Sequence, residues 1–405
     1  MTAQLFAEAS PATSGTALHH ESHRALLNPE AVQATARLDA IIVPTARPAD
    51  QILTAARLAQ RLGCALVALC SGPARADAVR YYLRHWRGFE LIAVDIPRGY
   101  QHEAFRFATS TEVEARRGRN TDTSLKRNLG LLLARMRGWE RIVFLDDDIE
   151  VPNPADLGHA AALLDRYNTV SLKIGGYPDN SVLCHAHRLT GGNQDTFVGG
   201  GALAVAPLRT EAFFPDTYNE DWFFLLDKAR LRPVAVTGEV IQQEYDPFAD
   251  PRRARSEEFG DVLAEGLFSL LDQGRRVKDA NGAYWRQFIQ HRALFIEDVT
   301  ERVQVRANAL QRSRMLRSLT AARDRNAELR PEMCESYLRA WSIDRTRWLK
   351  TLANLPAVTS TEAALRHFGL DGHLAAPRPS VVTVPARPAR PARNRSRRPA
   401  IAAAV

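Results

Sequence analysis

Long apolar runs are missing from this chain of 405 residues. No stretch approaches the roughly 18 residues a membrane-spanning helix needs, so no transmembrane helix is expected. The N-terminus also lacks the basic-then-apolar order of a secretory leader, and the protein is expected in the cytoplasm. Cysteine is scarce. Cys64, Cys70, Cys184 and Cys334 show no C-x-x-C spacing and no histidine at a zinc-finger offset. They read as buried free thiols, which excludes a disulfide framework and structural zinc. Acidic residues are absent from 376–405, where seven arginines fall (Arg378, Arg387, Arg390, Arg393, Arg395, Arg397, Arg398). Taking those seven from the net +8 leaves +1 for residues 1–375, so no specific nucleic-acid face is expected on the body.

What is present is an alternation of strand and helix patterns. Residues 1–37 are polar and Ala-rich without a sustained period and read as a disordered N-terminal segment. From Leu38, LDAIIVPT, CALVALCSG and FELIAVDIP read as buried strands, separated by helical spacing at Ile52, Ala56, Leu58 and Leu62 and again over 74–86. A polar stretch over roughly 98–121 has no clear period, and loops of that length in a compact domain are usually functional. TDTSLKRNLGLLLARMRGW then reads as an amphipathic helix with Leu125, Leu129, Leu132 and Met136 on one side, and RIVFL as a buried strand. Such alternation indicates an α/β fold, a mostly parallel sheet with helices on both faces and its ligand beyond the carboxyl ends of the strands. Beyond residue 150, NTVSLKIGGY, SVLCHAHRL and PVAVTGEVIQ read as strands and 257–350 as mainly helical. The expected organisation is a catalytic domain over 38–255, a helical C-terminal region over 256–375 and a Pro/Arg-rich disordered tail over 376–405, suited at most to weak contact with an anionic surface.

The densest chemistry is IVFLDDDIEV. Asp146, Asp147 and Asp148 follow a buried strand and repel one another unless a cation is near. Hard oxygen ligands suit Mn²⁺ or Mg²⁺, and on an extended segment Asp146 and Asp148 face the same side. An ion there would bridge a nucleotide diphosphate. A helix cap explains the cluster less well, because the next helix has its own start at Asn153-Pro154. Lys126 and Arg127 open a helix near the site, where a cation can meet a diphosphate. In NEDWFFLLDKARL, Asn219 reads as the N-cap, and Glu220 and Asp221 as first-turn acids that suit the helix dipole. Gly199, Gly200 and Gly201 permit close backbone approach or form a bulge. His185 and His187 alternate on an expected strand and read as a polar sheet face.

Five of these segments, in this order, resemble the GT-A glycosyltransferases, especially the family-2-like nucleotide-diphospho-sugar transferases. They are VPTARP at the end of the first strand, LKRNLGL, FLDDD, the Gly-rich FVGGGALAV and NEDWFFL, which together span roughly 38–250. The resemblance implies a metal-dependent enzyme that moves a sugar from a UDP- or GDP-linked donor to an acceptor hydroxyl with inversion. It places Pro44, Thr45 and Arg47 at the base and ribose, and Lys126, Asp146, Asp147, Gly200 and Gly201 around the donor. Asp148, with Asp146, would hold Mn²⁺ or Mg²⁺. Asp221 would act as the base, with Glu220 beside it, and Trp222 would offer a stacking face or pack in the core. The chain departs from the pattern twice. Ala46 stands where the family's first loop has Asn, and the strand that often brings a histidine to the metal runs instead into Gln242-Gln243-Glu244-Tyr245-Asp246.

Three other readings fit less of the chain. A haloacid-dehalogenase-type phosphatase expects Thr or Val where Glu150 stands, and a sugar nucleotidyltransferase expects glycines in the loop that here reads PTARP. A catalytically silent nucleotide-sugar-binding or scaffold protein would keep the fold without turnover.

Overall fold

The computed structural model describes residues 28–176, 181–192 and 198–374. The expected tail over 376–405 and the first 27 residues of the expected N-terminal segment lie outside them. Residues 28–37 lie within, and Asn28–Pro29 (β1) already pairs with the edge of the sheet.

The central strands are Ala40–Thr45 (β2), Ala65–Cys70 (β3), Leu91–Asp95 (β4) and Ile142–Leu145 (β5). Each is buried over most of its length, as strands of a parallel sheet covered on both faces must be. Ile149–Glu150 (β6), Thr169–Gly176 (β7), Ala202–Val205 (β8) and Val234–Gln242 (β9) complete a mixed sheet in the order β1-β9-β7-β8-β5-β2-β3-β4, with β6 on β9. β8 runs antiparallel to both β5 and β7, and the other pairs along this path are parallel. The chain steps outward from β2 to β3 and β4, then returns to lay β5 on the other side of β2. A ligand crevice opens at such a reversal, beyond the carboxyl ends of the two strands.

Side chains alternate across the sheet, so each strand serves two cores. Ile41, Val43, Leu66 and Val143 pack with Leu53–Leu62 (α1), Ala76–Tyr82 (α2) and, past the four-residue Val113–Arg116 (α3), with the later helix Ala155–Leu163 (α5). Gly63, at φ 62°, ends α1 in the left-handed turn that glycine adopts without strain. Ile42, Val67, Ile92 and Phe144 face the opposite way, onto Thr123–Met136 (α4). The expected one-sided helix is in fact buried on most of its circumference, Lys126, Arg127 and Asn128 included. The reason is tertiary, since a second helical layer covers α4.

That layer comes from the C-terminal region. After Val182–Leu189 (α6) and Glu220–Leu225 (α7) follow Pro251–Asp272 (α8), Gly282–Arg306 (α9), Ala309–Glu328 (α10), Pro331–Asn354 (α11) and Thr361–His367 (α12). Trp285, Tyr337 and Trp348 join the same continuous core as the sheet residues. No helix among the described residues is long and apolar enough to cross a membrane. The expectation of a strand at SVLCHAHRL is corrected, because that segment forms α6, capped by Ser181 accepting from the Cys184 N–H. His185 and His187 are buried there, His185 with its Nε2 2.9 Å from the Tyr245 hydroxyl and His187 with its Nδ1 2.7 Å from Arg302 Nη2.

Helix α8 carries an acidic stripe into this interior. Glu258, Asp261 and Glu265, spaced to share a face, surround Arg292 of α9, which donates to them at 2.6 to 3.1 Å. All four side chains are buried. Removing one partner of such a cluster strands uncompensated charge. Arg292→Ala should therefore cost about 3–5 kcal/mol, read as a lowered guanidinium midpoint with unchanged slope.

Candidate functional site

The three aspartates lie at the predicted crevice, but in a turn and not on an extended segment. The Ile149 N–H donates to the Asp146 carbonyl at 3.2 Å and closes the turn. The Asp146 N–H is held by the Gly201 carbonyl, and the Asp148 carbonyl accepts from the Gln243 N–H. A turn sends successive side chains in different directions, so the expected pairing of Asp146 with Asp148 on one side is replaced by another. Asp147 and Asp148 share Arg47, whose Nη1 donates to Asp147 Oδ1 at 2.9 Å and Nη2 to Asp148 Oδ2 at 2.6 Å. Thr45 donates to Asp147 Oδ2 at 2.6 Å, which joins the ends of β2 and β5. Asp146 turns toward α4, and both its oxygens accept from Arg127 Nη2 at 3.0 Å.

Arg127 is the hub. Its other terminal nitrogen donates to Glu220 Oε1 at 2.8 Å, so one buried guanidinium joins α4, the aspartate turn and α7. The acids beside it favour its charged form despite burial. Gly200 lies directly over the guanidinium, and a Cβ there would overlap it. Gly201 passes beside Asp146 Oδ2, but it is Gly200 that close approach requires to be glycine.

Asp221 sits on the far side of that segment. Its Oδ2 accepts from the Gly200 N–H at 2.6 Å and its Oδ1 from the Trp222 N–H at 2.9 Å, which fixes the carboxylate plane. Burial raises it to about 6, the Glu220 charge adds to the rise, and Arg127 with the two backbone donors opposes it. Glu220 is committed to Arg127, with Arg119 at 3.9 Å from its second oxygen. Asn219 occupies the N-cap position expected, but at φ 62° and without a side-chain cap bond; its amide donates to Asp261 Oδ1 at 2.9 Å instead. Trp222 is a core residue, packed on Phe268 with ring centroids 4.7 Å apart. Lys126 is buried, with Nζ donating to the Thr45 carbonyl at 2.8 Å and to Ser71 Oγ at 2.7 Å. It also pairs with Asp122 at 2.8 Å.

Two cavities flank this frame, with Thr121 and Thr123 lining both. The larger, about 1150 Å³, opens beyond the ends of β2, β3 and β4, where Pro44 and Ala46 form part of its wall. Five cationic side chains line it (Arg98, Arg106, Arg116, Lys126, Arg347) against the two acids Asp122 and Asp216. The smaller, about 270 Å³, reverses that balance: Asp146, Glu220, Asp221, Asp261 and Glu265 line it against Arg119 and Arg127. The sequence alone did not mark Asp261, Glu265 or Arg347 as site residues. The acids on α8 left one trace, charged residues placed on the face that its apolar residues bury.

The carboxylates as arranged do not fit a divalent ion. Asp148, expected as a ligand, has Oδ2 accepting from both Arg47 and Gln242 Nε2, the latter at 2.7 Å. Both oxygens of Asp146, the other expected ligand, face Arg127. Among the described residues, no group of three or more His, Cys, Asp or Glu side chains is arranged to hold a metal ion.

No family model matches the chain, and no curated protein matches it. Among solved structures it is similar to a mannosyltransferase, PcManGT from Pyrobaculum calidifontis, in complex with GDP-Man and Mn²⁺. The identity is 13%, over 77% of this chain and 88% of that one, with a TM-score of 0.38. The functional reading therefore rests on the residues of the site.

Gly200→Ala tests the packing of the hub. The added methyl must displace Arg127, so we expect a loss of about 1–3 kcal/mol in chemical denaturation, whereas Gly138→Ala, at a left-handed turn with open space around it, should cost only its backbone strain.

Proposed function

We propose that this protein is a glycosyltransferase that moves a sugar from a nucleotide-diphosphate donor to an acceptor hydroxyl with inversion. The observation that carries the reading is the pairing of a large cation-lined cavity with a small carboxylate-lined one, the two meeting at Thr121 and Thr123. A nucleoside diphosphate suits the first in size and charge. Hydroxyl groups suit the second, because ionised carboxylates accept hydrogen bonds and cannot donate them.

Asp221 then serves as the base. Its backbone donors orient it without using all of its lone pairs, and an acid titrating near 6 is ionised at neutral pH yet basic enough to take a proton. The acceptor oxygen forms a bond to the anomeric carbon on the face opposite the diphosphate. The bond from that carbon to the phosphate oxygen breaks, and its electron pair leaves with the nucleoside diphosphate. The acceptor's proton passes to Asp221. Negative charge grows on the departing oxygens, toward the arginines of the large cavity. Glu220 acts through Arg127 and is a positioning residue.

Asp221→Asn keeps the size of the side chain and removes the base. We expect kcat to fall by about 10² to 10⁴, with donor affinity by calorimetry close to that of the parent. In the parent, kcat/KM should rise with pH through about 6 and level off above it, since the ionised form is the active one. The variant should lose that limb. Near-parental turnover in Asp221→Asn would place the base elsewhere. Nucleotide-sugar binding without turnover in the parent, for any acceptor tried and for water, would favour the silent binding protein.

A further inference from the structure

We infer that donor binding at this site needs no divalent cation, because Arg47 is the built-in counter-cation of Asp147 and Asp148. This rests on the glycosyltransferase reading.

Three adjacent carboxylates in one turn demand positive charge. Here it is already supplied. The planar fork of Arg47 reaches two neighbouring carboxylates at once, 2.9 Å to Asp147 and 2.6 Å to Asp148, while Arg127 faces both oxygens of Asp146. A small divalent ion takes about six oxygens in near-octahedral order, of which one or two come from free protein carboxylates and the rest from water and phosphate. Five of the six aspartate oxygens are turned to N–H and O–H donors from four side chains, Thr45, Arg47, Arg127 and Gln242. Gln242 is decisive among them. It reaches the turn from the end of β9, and its Nε2 donates to the same Asp148 oxygen that Arg47 holds. A carboxylate only accepts, so the amide's orientation is fixed by its partner. A metal on Asp148 Oδ2 would have to displace donors, and on either oxygen it would sit near the Arg47 guanidinium, a like charge.

The donor's own charge has other partners. Arg98, Arg106 and Arg347 line the large cavity, and the two acids lining it are each paired with another cation, Asp122 with Lys126 at 2.8 Å and Asp216 with Arg116 at 3.5 Å. The cavity therefore keeps a cationic surplus for a diphosphate without borrowing charge from a bound ion.

The test is calorimetric titration of the purified full chain with GDP and with UDP, once in EDTA and once in Mn²⁺, alongside Mn²⁺ binding read by electron paramagnetic resonance. We expect at least one nucleotide to bind with affinities that agree within about threefold between the two buffers, a difference under 1 kcal/mol. Arg106→Ala with Arg347→Ala should weaken that binding at least about tenfold, which is 1.4 kcal/mol. Arg47→Ala, and Arg47→Gln as a milder change, should expose the Asp147–Asp148 pair, so that Mn²⁺ binding appears and nucleotide affinity becomes Mn²⁺-dependent. Thermal melts show that each variant is folded. Nucleotide binding confined to Mn²⁺ in the parent overturns this inference and leaves the glycosyltransferase reading standing. Folded Arg47 variants that gain no Mn²⁺ response overturn the role assigned to Arg47. No binding of either nucleotide in either buffer overturns the donor assignment and this inference together.

Discussion

Arg127 leaves the second turn of α4 and ends between Asp146 and Glu220, under the backbone of Gly200. A buried guanidinium is costly to desolvate and is stable only where carboxylates meet it with good geometry. Once that cost is met, one residue fixes three others that are remote in sequence. The aspartate turn is drawn toward α4, α7 is set so that Asp221 reaches the Gly200 N–H, and Gly200 must stay free of a side chain. Arg127 itself lines the small cavity, and its neighbours Lys126 and Asn128 line the large one.

The helices of the C-terminal region complete this frame. Asp344 of α11 is buried and accepts from the Ala108 N–H at 2.6 Å, the Thr109 N–H at 2.7 Å and the Thr109 hydroxyl at 2.8 Å. Arg325 of α10 reaches Glu114 at 2.6 Å. These bonds pin the aperiodic stretch that walls the large cavity, while α8 contributes Asp261 and Glu265 to the small one. One face of the sheet shares an apolar core with α8, α11 and α12, so helices of the C-terminal region pack directly against the site.

Charge is managed locally throughout. Acids exceed cations in the small cavity and cations exceed acids in the large one; Arg292 lies behind the acids of α8, and Asp344 sits beside Arg347. The nearly neutral body conceals two neighbouring cavities whose lining charges are of opposite sign.

Apolar period and turn chemistry were legible along the chain. The four central strands, α4 and the carboxyl-end position of Asp146, Asp147 and Asp148 are local consequences of buried β-branched runs and helical spacing, and the structure has them where the pattern puts them. The segment holding His185 and His187 shows where period fails, since a short apolar run with alternating polar residues fits a strand as well as a buried helix. Which oxygen meets which donor was beyond any pattern. The partners of the aspartates, Arg47, Arg127 and Gln242, lie from 19 to 101 residues away, and sequence carries no record of direction or distance across such gaps. The sequence determined that carboxylates would crowd the end of a strand; only the folded packing of α4, β9 and the first loop decided that side-chain donors would stand beside them, because like charges in a turn take whichever cation the tertiary structure brings within hydrogen-bonding reach.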